Sequence, residues 1–313
     1  MKGQDNAKKY FIITVDTEGD NCWGWKDGQA ITTENVTRLP RFQALAERFS
    51  FKPVYLTNYE VAKDERFIDA FKQKQGENAC EIGLHIHAWN TPPIVDVPKI
   101  YSGQPYITEY KEEEIESKII ATKELLEQQF ETQITSHRSG RWALSEQYLR
   151  VLDKYGIKTD CSVVPQTSFY ALAGRSVAHG NDYTKARRIP SYIYGNILEV
   201  PMTARKIHRL GAGSLRHRLK NLLAGEQCWL RPLRTDLQAL KNLTEYVEKE
   251  GEVDYLEFMI HSSELLPAAN PYFQTTGDVE DLFACMEEYF SFLREKGYVG
   301  ITLKEYTKQK GNL

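Results

Sequence analysis

The chain has 313 residues, 41% of them hydrophobic and 27% charged, which is ordinary for a globular protein and long enough for one large core. Its net charge of −3 gives no general attraction to nucleic acid, because the basic stretch at 205–220 is local. Five dispersed cysteines without C-x-x-C spacing exclude a disulfide framework and a zinc ribbon.

Residues 1–9 are polar and lead straight into a strand, and no run of eighteen apolar residues follows anywhere. A cytoplasmic protein without a membrane span is therefore expected. The first strand, Tyr10-Phe11-Ile12-Ile13-Thr14-Val15, is continuously apolar, as a strand buried on both faces must be. It runs into Asp16-Thr17-Glu18-Gly19-Asp20. Unpaired carboxylates are too costly to be core filler, so this is either a solvated acidic turn or the carboxylate part of a site.

Apolar residues at helical spacing predict a helix over 33–49; Pro53-Val54-Tyr55-Leu56-Thr57 reads as a strand and 65–74 as a helix. Next comes Glu81-Ile82-Gly83-Leu84-His85-Ile86-His87-Ala88-Trp89, with two of the seven histidines one residue apart. Residues i and i+2 of a strand share a face, so His85 and His87 project together. This is a metal-ligand geometry, although a histidine on a strand can equally be a hydrogen-bonded, half-buried residue. Asn90-Thr91-Pro92-Pro93 then ends the ladder.

A long amphipathic helix is expected over 109–130, a short strand in 132–142 that delivers Arg138, Arg141 and Trp142, a helix over 145–152, and a strand in 157–165. The stretch 166–193 reads as loop, 197–203 as a strand, and 205–225 as a basic, partly helical excursion whose His208 and His217 are surface residues. A helix at 236–249 precedes the buried strand 254–260, which delivers His261-Ser262-Ser263-Glu264 into a loop. A helix at 279–296 and a strand at 299–302 close the chain. Strand–helix alternation of this kind predicts an α/β fold with a parallel sheet or barrel, its functional groups at the C-terminal strand ends.

Four strand ends thus deliver polar chemistry: Asp16 with Glu18, His85 with His87, Arg138 with Arg141, and His261. In this order they resemble the NodB-homology polysaccharide deacetylases, carbohydrate esterase family four. Thr14-Val15-Asp16-Thr17-Glu18 is similar to that family's Thr-x-Asp-Asp, and Glu81-Ile82-Gly83-Leu84-His85 to its Glu-Ile-Gly-x-His. Arg138-Ser139-Gly140-Arg141 resembles its arginine-led groove motif, Thr159-Asp160-Cys161-Ser162-Val163 its Tyr-Asp-Ser-Ser segment, and Ile260-His261 its Leu-x-His. The Asp-x-Glu, Gly-Leu-His-x-His-x-Trp and His-Ser-Ser-Glu variants look closest to the branch of O-antigen and capsule clusters. Two positions depart from the pattern: Thr17 replaces the second Asp, and Trp89 stands where the family's second metal histidine falls.

The resemblance implies a single NodB-like domain over 1–313, a distorted (β/α) barrel of about seven strands with an irregular insertion at about 166–235. It further implies a divalent metal, zinc by preference, held by His85, by His87 as substitute histidine, and by Glu18 or Asp16. Asp16 would be the catalytic base, oriented by Arg138, and His261 the acid, in removal of acetyl groups from N-acetylated sugars of a bacterial surface polysaccharide or its precursor. Trp89 and Trp142 are candidate sugar-facing aromatics, a role that core packing fits as well. Three rival readings use the same residues: an inactive carbohydrate-binding homologue, another metal-dependent amidohydrolase, and a glycosidase using Asp16 and Glu18. Neighbouring carboxylates on one strand do not straddle a glycosidic bond, which weighs against the last.

Overall fold

The computed structural model describes residues 8–207, 225–233 and 235–311. In chain order, β1 (Lys9–Thr17) and α1 (Leu39–Arg48) lead to β2 (Pro53–Thr57), then α2 (Tyr59–Ala62), α3 (Glu65–Gly76) and β3 (Glu81–Ile86). α4 (Glu112–Phe130) returns the chain to β4 (Ser136–Ser139), and α5 (Glu146–Lys154) to β5 (Thr159–Asp160). β6 (Ser191–Tyr194), β7 (Ile197–Glu199), β8 (Ala204–Ile207) and β9 (Glu226–Trp229) follow without an intervening described helix. α6 (Leu237–Glu250), β10 (Tyr255–His261), α7 (Thr276–Glu295), β11 (Tyr298–Gly300) and α8 (Leu303–Lys310) complete the described chain.

One sheet organises these elements, in the order β10-β1-β2-β3-β4-β5-β7-β6, with β11 pairing to the start of β1. All its ladders are parallel except the edge pair β6–β7. The sheet curls without closing by direct pairing of its ends. Instead Leu230 spans the gap, its N–H donating to the Thr203 carbonyl at 2.9 Å while its own carbonyl accepts from Met259 of β10 at 3.2 Å. This is the distorted barrel expected, with nine strands in the sheet where about seven were predicted. The strand not anticipated is β6; β5 and β11, both expected, are reduced to two and three residues. β6 falls inside the stretch read as loop, where Ser, Tyr and Gly give no alternating pattern.

Apolar runs account for the rest. β1 and β2 are buried almost throughout, and Phe11, Phe51, Phe258, Tyr289 and Phe290 meet ring to ring between the sheet and α7. Gly83 lets β3 lie close to its neighbours, since a Cβ there would stand 2.7 Å from Leu56 Cδ2. Local caps set the helix starts: Asp64 accepts from the Arg66 N–H, Ser145 from Tyr148, and Asp236 from Ala239. The long helix begins three residues later than its predicted 109, because Glu114 reaches back to the Lys111 N–H at 2.8 Å and fixes the start there. Arg205, read from the sequence as part of a basic excursion, is buried and pairs with Glu250 at 2.6 Å. His208 and His217 lie outside the described residues.

Candidate functional site

The parallel register does most of the assembly. Asp16 sits beside His261 across the β1–β10 ladder, and His85 beside Arg138 across β3–β4. All four lie at or next to the C-terminal ends of their strands, where they meet Glu18 and His87. Asp16, Glu18, His85, His87, Trp89, Trp142 and His261 line one cavity of about 380 Å³. Arg138 lies just beneath it, fully buried.

Glu18, His85 and His87 bring one ligand atom each to within 4.8 Å of one another, the sole such group among the described residues. Glu18 Oε2 is 3.0 Å from His87 Nε2 and 3.5 Å from His85 Nε2. His85 Nδ1 is 2.8 Å from the Arg138 carbonyl; a carbonyl can only accept, so Nδ1 carries the proton and Nε2 presents a lone pair. That Nε2 is buried and makes no hydrogen bond, and neither does His87 Nδ1. A lone pair of His85 facing a carboxylate oxygen at 3.5 Å is repulsive unless a proton or a metal ion lies between them. Donors bound at ~2.0–2.2 Å to a tetrahedral ion stand a little over 3 Å apart, so the observed spacing fits a divalent metal. Of the two carboxylates left open by the sequence, geometry selects Glu18 for this cluster. Thr17 turns away, its hydroxyl donating to the Val15 carbonyl at 2.9 Å.

Asp16 is engaged differently. Its Oδ1 accepts from Arg138 Nη1 at 2.6 Å, and its Oδ2 lies 3.7 Å from His261 Nε2. Burial pushes Asp16 upward, but Arg138, His85 and His261 together hold it below the usual carboxylate range. Burial likewise opposes charge on Glu18, and the adjacent His87 and His85 outweigh it, keeping the carboxyl well below its ordinary value. Beneath them Arg138 also donates to Glu257, which burial raises to about 7 in spite of that contact. One guanidinium thus serves two carboxylates, and Asp16 is the one that keeps its charge.

His261 has two buried neighbours that the sequence did not assign. Arg231 Nη2 donates to His261 Nδ1 at 3.0 Å and to Glu264 Oε1 at 2.5 Å, and the same Oε1 is 3.4 Å from Nδ1. An arginine N–H cannot accept, so in this arrangement Nδ1 is the acceptor and the ring proton sits on Nε2, facing Asp16 and the cavity. A second proton would turn Nδ1 into a donor, with Glu264 waiting for it.

Aromatic side chains form the walls. Four of the five tryptophans, Trp23, Trp89, Trp142 and Trp229, line the cavity, and the fifth, Trp25, lies 6.5 Å from Trp89. Trp142 is 7° from coplanar with Phe169 and edge-on to Trp229, and its ring is 5.1 Å from the Arg138 guanidinium. Trp89 packs against His87 at a tilt of 39°, ring centroids 4.2 Å apart. Arg141, assigned from the sequence to a groove motif, lines the cavity too, while its guanidinium donates to the Ala173 carbonyl at 2.9 Å and packs over Tyr106. A fourth histidine, His137, bonds Asp160 at 2.6 Å and Tyr148 at 2.7 Å, fully buried and away from the cavity lining. That Asp–His–Tyr row ties β4, β5 and α5 together.

As a sequence the chain matches no family model and no curated protein. As a fold it is similar to a protein from Mycobacterium smegmatis provisionally assigned as a polysaccharide deacetylase, with TM-score 0.57 and 9% identity over 98% of this chain and 92% of that one. A GH57 branching enzyme from Thermococcus kodakaraensis gives 0.54 at 10% identity over 96% and 71%. A 4-alpha-glucanotransferase from Thermococcus litoralis gives 0.53 at 15% identity over 96% and 38%. At these identities the likeness is one of fold.

Proposed function

We propose that this chain is a metal-dependent hydrolase that removes the acetyl group from an N-acetylated sugar of a bacterial surface polysaccharide or its precursor, acting at the amide bond. The observation that carries the reading is the buried Glu18–His85–His87 cluster, in which His85 Nε2 makes no hydrogen bond, with Asp16, beside His261, two residues before Glu18. Two imidazoles and a carboxylate are a donor set suited to zinc. The chemistry contributed by such an ion is Lewis-acid activation of water and of an acyl carbonyl.

The chain's own residues supply the proton transfers. Asp16, kept ionised by Arg138, accepts the proton of the attacking water at Oδ2. His261 acts as the acid in its doubly protonated form, with Nδ1–H directed at Glu264; it passes the Nε2 proton to the departing amine and is left as the neutral ring. Trp89, Trp142 and the rings beside them exclude water and offer flat apolar faces to a sugar.

Glycosyl transfer or hydrolysis, the activity of two of the fold neighbours, needs carboxylates on opposite sides of the bond. The described lining has only Asp16 and Glu18, both from the end of β1. The deciding experiment measures acetate released from N-acetylated sugars with zinc, cobalt or nickel supplied, alongside equilibrium binding of the same sugars. Binding without acetate under every metal would replace the hydrolase reading with that of a carbohydrate-binding homologue.

A further inference from the structure

The cavity is walled in a way that bears on which part of a saccharide can enter it. On the side of Trp89 three loops are fastened into one barrier. Asp27 of the first loop pairs with Lys99 of the second and, at 2.8 Å, with Arg175 of the third. Gln104 Oε1 accepts from Arg175 at 2.8 Å. Arg141 reaches the Gln104 and Ala173 carbonyls together, and Glu109 accepts from the Arg175 N–H at 3.1 Å. The backbones touch directly: a Cβ on Gly103 would stand 2.0 Å from the Ala173 carbonyl oxygen. A groove that binds an internal residue of a polymer needs an opening on both sides of that residue, and this barrier removes one of them.

Two further walls are aromatic. Trp23, edge-on to both His261 and Tyr272, is anchored by its Nε1–H to Ser263 Oγ at 3.0 Å. The second is formed by Trp142, Phe169 and Trp229, which pack on one another in the cavity lining. The cavity, about 380 Å³ and open to solvent at its mouth, lies at the lower end of the ~300–1,000 Å³ of small-molecule pockets, room for about two sugar rings.

We infer that the site takes a free or chain-terminal N-acetylated sugar, one or two rings deep, rather than an internal residue of a polysaccharide. The inference rests on the deacetylase reading for the acyl group and on the walls for the chain end. To test it, the zinc-loaded protein is titrated with N-acetylglucosamine and its dimer, trimer and pentamer, and with N-acetylgalactosamine and N-acetylmannosamine, following tryptophan fluorescence. The acetyl pattern of the pentamer is then read by mass spectrometry after incubation. Affinity is expected to rise from monomer to dimer and then to change by less than about twofold up to the pentamer, with acetyl loss confined to a terminal residue. Affinity that climbs about tenfold or more between dimer and pentamer, acetyl loss at internal residues, or no binding by any of these sugars would overturn it. Internal loss would leave the deacetylase reading standing, whereas a plateau at the dimer with no acetate released would sustain the terminal-sugar site and remove the deacetylase.

Discussion

Arg231 donates to His261 Nδ1 from 3.0 Å, and the pair closes a chain of charge that runs from Glu264 through His261 to Asp16 and Arg138. Arg231 and Glu264 are both buried, so neither can lose its partner to water at little cost. Removing one partner of a buried ion pair typically destabilises by ~3–5 kcal/mol, because the other charge is left uncompensated. Arg231→Met is expected to lower unfolding free energy by about 3 kcal/mol in urea. The double change Arg231→Met with Glu264→Gln should recover part of that loss; a double mutant no better than the single one would mean that the pair is not coupled as described.

Metal affinity should depend on His85, His87 and Glu18 and also on a residue that touches no ion. A Cβ on Gly140 would lie 2.3 Å from His87 Cδ2 and 2.5 Å from the Ile86 carbonyl, so Gly140→Ala must displace the His87 ring. His85→Ala is expected to abolish tight zinc binding in calorimetry, and Gly140→Ala to weaken it by the ~10–100-fold seen when a ligand's orientation is disturbed. Unchanged affinity in His87→Ala would exclude that residue from the cluster.

Proton transfer can be separated from binding. Asp16→Asn and His261→Ala are each expected to cut kcat for acetate release by ~10²–10⁴-fold, with sugar affinity nearly unchanged in equilibrium titrations. A rise in KM at constant kcat would instead mark them as sugar contacts that hold ground and transition state alike.

Glu60 gives a pH signature in stability. It is half-buried in a network with the Gly19 N–H at 2.7 Å and Asn90 Nδ2 at 3.0 Å, and desolvation raises it from 4.5 to about 7. A carboxyl whose folded value is raised binds its proton more tightly in the native state. Its contribution is therefore full below 4.5 and is lost as the pH climbs to about 7. Stability should fall across that window by on the order of 3 kcal/mol from this group, and Glu60→Gln should flatten the slope in urea titrations run at successive pH values. An unaltered slope would assign the pH dependence elsewhere, with Glu257, also raised to about 7, the next residue to replace.

What the sequence determined by itself was whatever depends on neighbours along the chain. Alternation in a strand put His85 with His87 and Asp16 with Glu18 on common faces. Apolar runs located β1, β2, β3 and β10, and the polar residues just beyond them marked the strand ends where the cavity lies. Parallel order followed from strand–helix alternation, for the same local reason. Register between strands distant in sequence is not local, and only the tertiary structure decided that Asp16 lies against His261 and His85 against Arg138. It also separated the two carboxylates, Asp16 to the guanidinium and Glu18 to the imidazoles, and it made Arg141, which lines the cavity, a strut between loops as well. Arg231, Trp23 and Trp229 sit in segments with no periodicity, where nothing in the sequence indicates direction. They enter the site because the curled sheet and the Leu230 bridge bring their loops over the same strand ends.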